Sequence, residues 1–112
     1  MSKSSEIKIN INLDENHIPE TLTWTALDGG VEQEEAKTIL LSIWDAKAKE
    51  TLRIDLWTKD MPVDEMKLFF HQTLVAMTDT FQRATGDDKM TATMNDFCDY
   101  FAEKLELKNQ NN

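Results

Sequence analysis

The stretch Val31-Glu-Gln-Glu-Glu-Ala-Lys-Thr-Ile-Leu-Leu-Ser-Ile-Trp-Asp45 admits two readings, and the fold turns on the choice between them. Read as one helix, it runs from Val31 to Lys47, and Glu32 to Lys37 favour that by propensity. Thr38-Ile-Leu-Leu-Ser-Ile-Trp44 argues the other way. It is rich in strand formers and alternates Ile39, Leu41 and Ile43 against Leu40, Ser42 and Trp44. The alternation favours a short acidic turn or helical segment leading into a strand at about Thr38 to Trp44. Asp45-Ala-Lys-Ala-Lys-Glu50 is then the loop of a hairpin. The returning strand, Thr51 to Thr58, sets Leu52, Ile54 and Leu56 against Arg53, Asp55 and Trp57.

Working outward toward the N-terminus, Glu6 to Leu13 alternates strictly, with Ile7, Ile9, Ile11 and Leu13 on one side. That is the pattern of a half-buried strand. Asp14-Glu-Asn-His-Ile-Pro19 reads as a loop, since Pro19 disfavours helical geometry at Ile18. Leu22, Trp24 and Ala26 then alternate with Thr21, Thr23 and Thr25, completing a first hairpin that Asp28-Gly-Gly30 closes.

Toward the C-terminus, Lys59-Asp-Met-Pro62 ends the strand region and starts a helix. Pro62 suits the first turn, and Asp64 and Glu65 sit at the positive end of the dipole. Met66, Phe70, Thr73, Met77, Phe81 and Ala84, flanked by Phe69 and Leu74, give a helix over Pro62 to Ala84 with an apolar stripe. Gly86 is its expected C-terminal cap. A last helix, about Lys89 to Leu107, presents Met90, Met94, Phe97, Cys98, Phe101 and Leu105.

The expected fold is therefore α+β: an antiparallel four-stranded sheet of two consecutive hairpins, covered on one face by two C-terminal amphipathic helices. Residues 1–112 are expected to form a single domain with an ordered core of about 6–107. Met1 to Ser5 and Lys108 to Asn112 hold almost nothing to bury and are expected to fray.

The formal charge is −9, and dividing after Thr58 leaves both halves acidic, by −5 and −4. No Lys/Arg cluster exists to neutralise phosphates, so nucleic acid and anionic bilayers are poor partners. The expected partner is a protein or a second copy of the chain. Cys98, the only cysteine, excludes an intrachain disulfide, and its neighbours Asp96, Asp99 and Glu103 disfavour a thiolate. The N-terminal residues lack the apolar run of a signal peptide, no stretch has the length of a membrane span, and the expected compartment is the cytoplasm.

The chemistry-bearing residues do not assemble into a recognisable constellation. His17, His71 and Cys98 stand in three different elements, which does not suit zinc. Asp45-Ala-Lys-Ala-Lys and Gly86-Asp-Asp-Lys lack the oxygen ligands of a calcium loop. His71 is nearly opposite Glu65 on its helix. Asp96, Asp99 and Glu103 share a face opposite the apolar stripe, where they read as a solvated surface. No catalytic residue, metal ligand or cofactor is expected, and an enzyme is not.

The aromatic residues give one positive lead. If Ile39, Leu41, Ile43, Leu52, Ile54 and Leu56 face the helices, then Leu40, Trp44 and Trp57 share the outer face of the sheet. Arg53 and Asp55 lie on that face too, as a polar rim, and the five residues form a candidate protein-interaction patch. The bland alternative is that Glu32 to Lys37 folds back over them, or that the sheet curls around them. A second functional reading is a small-ligand domain with an apolar pocket between sheet and helices, suited by the 6 methionines.

Three runs carry a resemblance: Thr51-Leu-Arg-Ile-Asp-Leu-Trp-Thr-Lys-Asp-Met-Pro62, Met66-Lys-Leu-Phe-Phe-His-Gln-Thr-Leu74 and Thr80-Phe-Gln-Arg-Ala-Thr-Gly86. With Leu13-Asp-Glu-Asn-His-Ile-Pro19, Trp24 and Asn95-Asp-Phe-Cys-Asp-Tyr-Phe-Ala-Glu103, the chain resembles the gliding-motility-associated GldC family of the Bacteroidetes from Glu6 to Leu107. None of these runs is a mechanistic motif. The resemblance implies a small, non-enzymatic accessory protein of surface gliding and assigns no catalytic or ligand residues.

Overall fold

The computed structural model describes residues 3–107, so Met1, Ser2 and residues 108–112, where fraying was expected, lie outside the described residues. Lys3 to Ser5 carry no regular secondary structure. The described residues fall into two compact units that divide between Met61 and Pro62.

In the first unit, β1 (Lys8–Leu13) and β2 (Pro19–Ala26) form the hairpin that their alternation predicts. Ile9 pairs with Trp24 and Ile11 with Leu22, so the apolar residues of both strands share one face. The intervening loop closes on its own first residue. Asp14 Oδ1 accepts hydrogen bonds from Asn16 N at 2.8 Å and Ile18 N at 3.0 Å, while Asp14 N donates to the Ile18 carbonyl at 2.9 Å.

Val31–Ala36 is a strand, β3, and not the acidic turn or helical segment that its composition suggests. It pairs antiparallel with β2. Its two apolar residues, Val31 and Ala36, stand five positions apart and would point to opposite faces of a regular strand. A bulge corrects this. Leu22 lies opposite Ala36 and Trp24 opposite Glu34, but Ala26 lies opposite Val31, so β3 carries one extra residue. Gln33 sits there at φ 47, with its N–H on Thr25 Oγ1 at 3.0 Å. The bulge returns Val31 to the face that holds Ala26.

β4 (Thr38–Asp45) and β5 (Glu50–Trp57) form the second expected hairpin, and the Thr38 to Trp44 strand is present. Asp45 closes its turn: its carboxylate takes Lys47 N and Ala48 N, and its carbonyl takes Lys49 N. The sheet itself differs from the expectation. Five strands form two antiparallel sheets, β1-β2-β3 and β4-β5, in place of one four-stranded sheet. The separation occurs at Lys37, the single residue between β3 and β4. Its carbonyl accepts Thr58 N at 2.9 Å, one rung beyond Thr38–Trp57 in the β4–β5 register, whereas Lys59 N donates to the Pro19 carbonyl at 3.2 Å, at the first residue of β2. The chain thus turns out of one ladder and begins another, as strands do where they switch sheets.

In the second unit, α1 (Val63–Thr85) and α2 (Asp88–Lys104) form an antiparallel helical hairpin. Pro62 stands at the N-cap, one residue outside the helix it was expected to start. Gly86 adopts φ 68 and its N–H reaches the Gln82 carbonyl at 2.9 Å, the αL cap expected of it. Asp87 caps α2 through Met90 N at 2.9 Å. The line of α1 that meets α2 is rotated from the predicted stripe. His71, Thr78 and Gln82 reach Cys98, Phe101 and Thr91, whereas Phe70 and Met77 stay 42% and 54% exposed.

Among the described residues, Leu22 and Cys98 are the buried apolar side chains, joined by Thr58 and Thr78. Leu22 is fully enclosed. Leu22→Ala is expected to cost about 3 kcal/mol of stability, and Ile43→Ala, half exposed, no more than about 1 kcal/mol. Urea unfolding midpoints of the two variants check this.

Candidate functional site

The alternation of β4 and β5 decides what each face of their hairpin presents. Ile39, Leu41 and Ile43 pair with Leu56, Ile54 and Leu52, forming three aliphatic rungs on one face. On the other face the rungs are Thr38 with Trp57, Leu40 with Asp55, Ser42 with Arg53, and Trp44 with Thr51. All five residues of the expected patch therefore share one face. Trp44 is 63% exposed and Trp57 54%; β3 does not fold back to cover them.

The arrangement within that face differs from the expected one. Arg53 and Asp55 occupy its two middle rungs and not its rim, because register places them between the tryptophans. Arg53 Nη2 bonds Asp55 Oδ1 at 2.7 Å, and Arg53 also donates to Ser42 Oγ. The guanidinium thus satisfies its neighbours within the face. Exposed pairs of this kind add little stability, so the pair acts mainly to fix side-chain position. The face has aromatic ends, a polar middle, and Leu40 beside the Trp57 end.

A polar cluster holds the end of β5 that carries Trp57. Thr58, 1% exposed, bonds the Lys37 carbonyl through its N–H and Asp60 Oδ1 through its hydroxyl at 2.7 Å. Asp60 Oδ2 pairs with Lys37 Nζ at 3.0 Å. Lys59 Nζ reaches back to Asp14 Oδ2 at 2.9 Å and lies 3.8 Å from Glu20. Because residue 58 is fixed at both backbone and side chain, the indole one position earlier is held on the outer face. These positioning residues escaped sequence reasoning, since 45 positions separate Asp14 from Lys59 and no short-range pattern marks the pair.

The cluster also sets a pH dependence. The Lys59 hydrogen bond and the Ile18 amide hold the Asp14 carboxyl below its ordinary 3.8, and the Thr58 hydroxyl and Lys37 ammonium do the same for Asp60. The hydrogen bond to Asp14 and its charge raise Lys59 above its ordinary 10.5. Lowered carboxyl values mean stabilisation that is complete above 3.8 and lost as pH falls through the folded values. The raised Lys59 contributes fully below 10.5 and loses its contribution as pH rises through its folded value.

The residues considered for chemistry lie apart from this face. His71 Nε2 is 3.1 Å from the Cys98 carbonyl, a backbone contact, and its ring stacks on Phe101. The Cys98 thiol is buried against Thr78 Oγ1 at 3.6 Å. Asp96, Asp99 and Glu103 are exposed. Among the described residues, no three His, Cys, Asp or Glu side chains are placed to hold a metal ion. A groove of about 230 Å³ is lined by Ser4, Ser5, Glu6, Lys8, Thr25, Leu27 and Asp28; it is small and its lining is half polar, unlike the predominantly apolar pockets that hold drug-sized ligands. No described helix is long and apolar enough to cross a membrane.

Two outcomes follow. Trp57→Ala is expected to leave the fold in place and cost about 1–2 kcal/mol, well below the 3–5 kcal/mol of a core aromatic truncation, as read by chemical unfolding. Asp14→Asn keeps the loop's hydrogen-bond acceptor but loses the ion pair. Its stability is expected to fall less steeply than the wild type's below about pH 4, as read by urea midpoints along a pH series.

A family model described as Gliding motility-associated protein GldC-like matches residues 19–107. The matched span contains the whole β4–β5 hairpin and both helices and begins at the first residue of β2. No curated protein and no solved structure matches the chain.

Proposed function

The chain belongs to the GldC-like family of gliding motility-associated proteins, and we propose that it serves gliding as a non-enzymatic accessory protein of the cytoplasm, acting through protein–protein contacts. The observation that carries this reading is the outer face of the β4–β5 hairpin. Two half-exposed tryptophans share it with Leu40, around a guanidinium already satisfied by Asp55 and Ser42. Large aromatics left open to water are costly in a free protein and are the side chains most enriched at interface hot spots. Arg53 brings a further hot-spot residue type, held in place before any partner arrives, which lowers the ordering cost of association.

Membership of the family supports a part in gliding, and the face would supply a means of acting there. Leu40, Trp44 and Trp57 would provide the area, and Arg53 and Asp55 the orientation. The acidic strand β3, with Glu32, Glu34 and Glu35, would repel acidic partners and help select among neutral or basic ones.

The test is genetic. Cells lacking the gene are expected to lose gliding and regain it with the wild-type gene. A Trp44→Ala/Trp57→Ala double variant, present at wild-type level, is expected not to restore it. Full restoration of gliding by that variant overturns the contact role of this face.

A further inference from the structure

We propose that the outer edge of β4 pairs antiparallel with β4 of a second copy, joining two hairpins into one continuous four-stranded sheet. The inference names a partner for the contact role proposed above and rests on that reading.

Three observations point to this edge. A two-stranded sheet is marginal alone, and among the described residues no strand pairs with the outer side of β4. The edges also differ in how they are guarded. β3 is an outer strand that carries Glu32, Glu34, Glu35 and a bulge, and β1 carries Lys8. Charges and bulges are the devices that keep exposed edges from pairing. In β4 the seven residues from Thr38 to Trp44 carry no charge and no proline, the register is free of bulges, and the one charge, Asp45, stands at the turn end. It is an unguarded edge on a chain whose other outer strands are guarded.

Charge then selects the occupant. Residues 38–57 hold Lys47, Lys49 and Arg53 against Asp45, Glu50 and Asp55, a net of zero, so the −9 of the chain resides entirely outside the hairpin. Two copies of an acidic chain repel one another except where each presents a neutral surface. The hairpin is that surface. A strongly basic partner would be drawn to the acidic remainder instead. Antiparallel pairing about a two-fold axis is self-complementary: Ile39, Leu41 and Ile43 of each copy meet their counterparts on one face, and the tryptophans of both copies stay on the other.

Pairing along one strand of eight residues buries less than the roughly 800 Å² per partner of a standard interface. The dimer is therefore reversible and dissociates on dilution. Pairing at the edge also leaves the tryptophan face clear of the second copy and doubles the tryptophan face available to other proteins.

The experiment is sedimentation of the full chain over a dilution series, with Ile43→Lys and Leu52→Lys as matched variants. These residues face each other on one rung, are 52% and 53% exposed, and undergo the same change in charge. Edge pairing predicts a concentration-dependent dimer that Ile43→Lys weakens about tenfold or more and Leu52→Lys changes by less than about threefold. Equal losses in the two variants would mean that the faces pack and would overturn edge pairing. A wild-type chain that stays monomeric at every concentration overturns the dimer.

Amide hydrogen exchange on the wild-type chain supplies a readout that needs no variant. Outward amides of β4 are expected to gain protection as concentration rises while β5 stays unchanged, and unchanged β4 amides count against the proposal. The two readings fail separately. A monomer whose tryptophan variant still cannot restore gliding loses only the dimer, whereas a dimer whose tryptophan variant restores gliding fully loses only the contact role of the tryptophan face.

Discussion

The amide of Lys59, bonded to the carbonyl of Pro19, is the backbone link between the end of the β4–β5 hairpin and the first residue of β2. Lys37, whose carbonyl takes Thr58 N, is the last rung of that hairpin. It is the single residue between β3 and β4, where the chain leaves a three-stranded ladder for a two-stranded one. The same corner gathers Asp60, Lys59 and Asp14, which join the end of β5 to the β1–β2 loop across a large separation in sequence. Individually these exposed pairs contribute little. Together with the buried Thr58 they fix a backbone corner next to Trp57, whose side of the hairpin the strand alternation sets.

A hairpin held apart from the larger sheet has consequences for function. It has one face with three aliphatic rungs and one with tryptophans at its ends. Neither face brings carboxylates, histidines or the thiol together. The assets of this region are area, aromatic side chains, a satisfied guanidinium and an edge without charge. Those are the materials of association, and they suit an accessory role in the motility system to which the family belongs.

Much of this was legible in the sequence where the period was clean. Ile7 to Leu13, Leu22 to Ala26 and Leu52 to Trp57 alternate strictly, and the strands are there. Gly86 marked a helix end because only a residue free to adopt φ near 68 fits the cap. β3 was illegible for a specific reason. Its two apolar residues are an odd number of positions apart, and only the bulge at Gln33 brings Val31 onto the face of Ala26, so the linear pattern imitates a helical or turn segment. Two sheets were read as one because the corner at Lys37 rests on contacts of Lys37 with Asp60 and of Lys59 with Pro19 and Asp14 that no local pattern encodes. Among the candidate site residues, membership of a common face followed from parity alone. Their order along it did not, since the placement of Arg53 and Asp55 between the tryptophans needs the β4–β5 register.

The central claim is that the β4–β5 hairpin is the part of this protein that touches others. A photo-crosslinking residue placed at Trp44 in gliding cells, with an identical residue at exposed Asn10 on β1 as the comparison, tests it most directly. The account predicts defined crosslinked protein products from position 44 and few or none from position 10. Equal crosslinking from both positions, or products from position 10 alone, would contradict it.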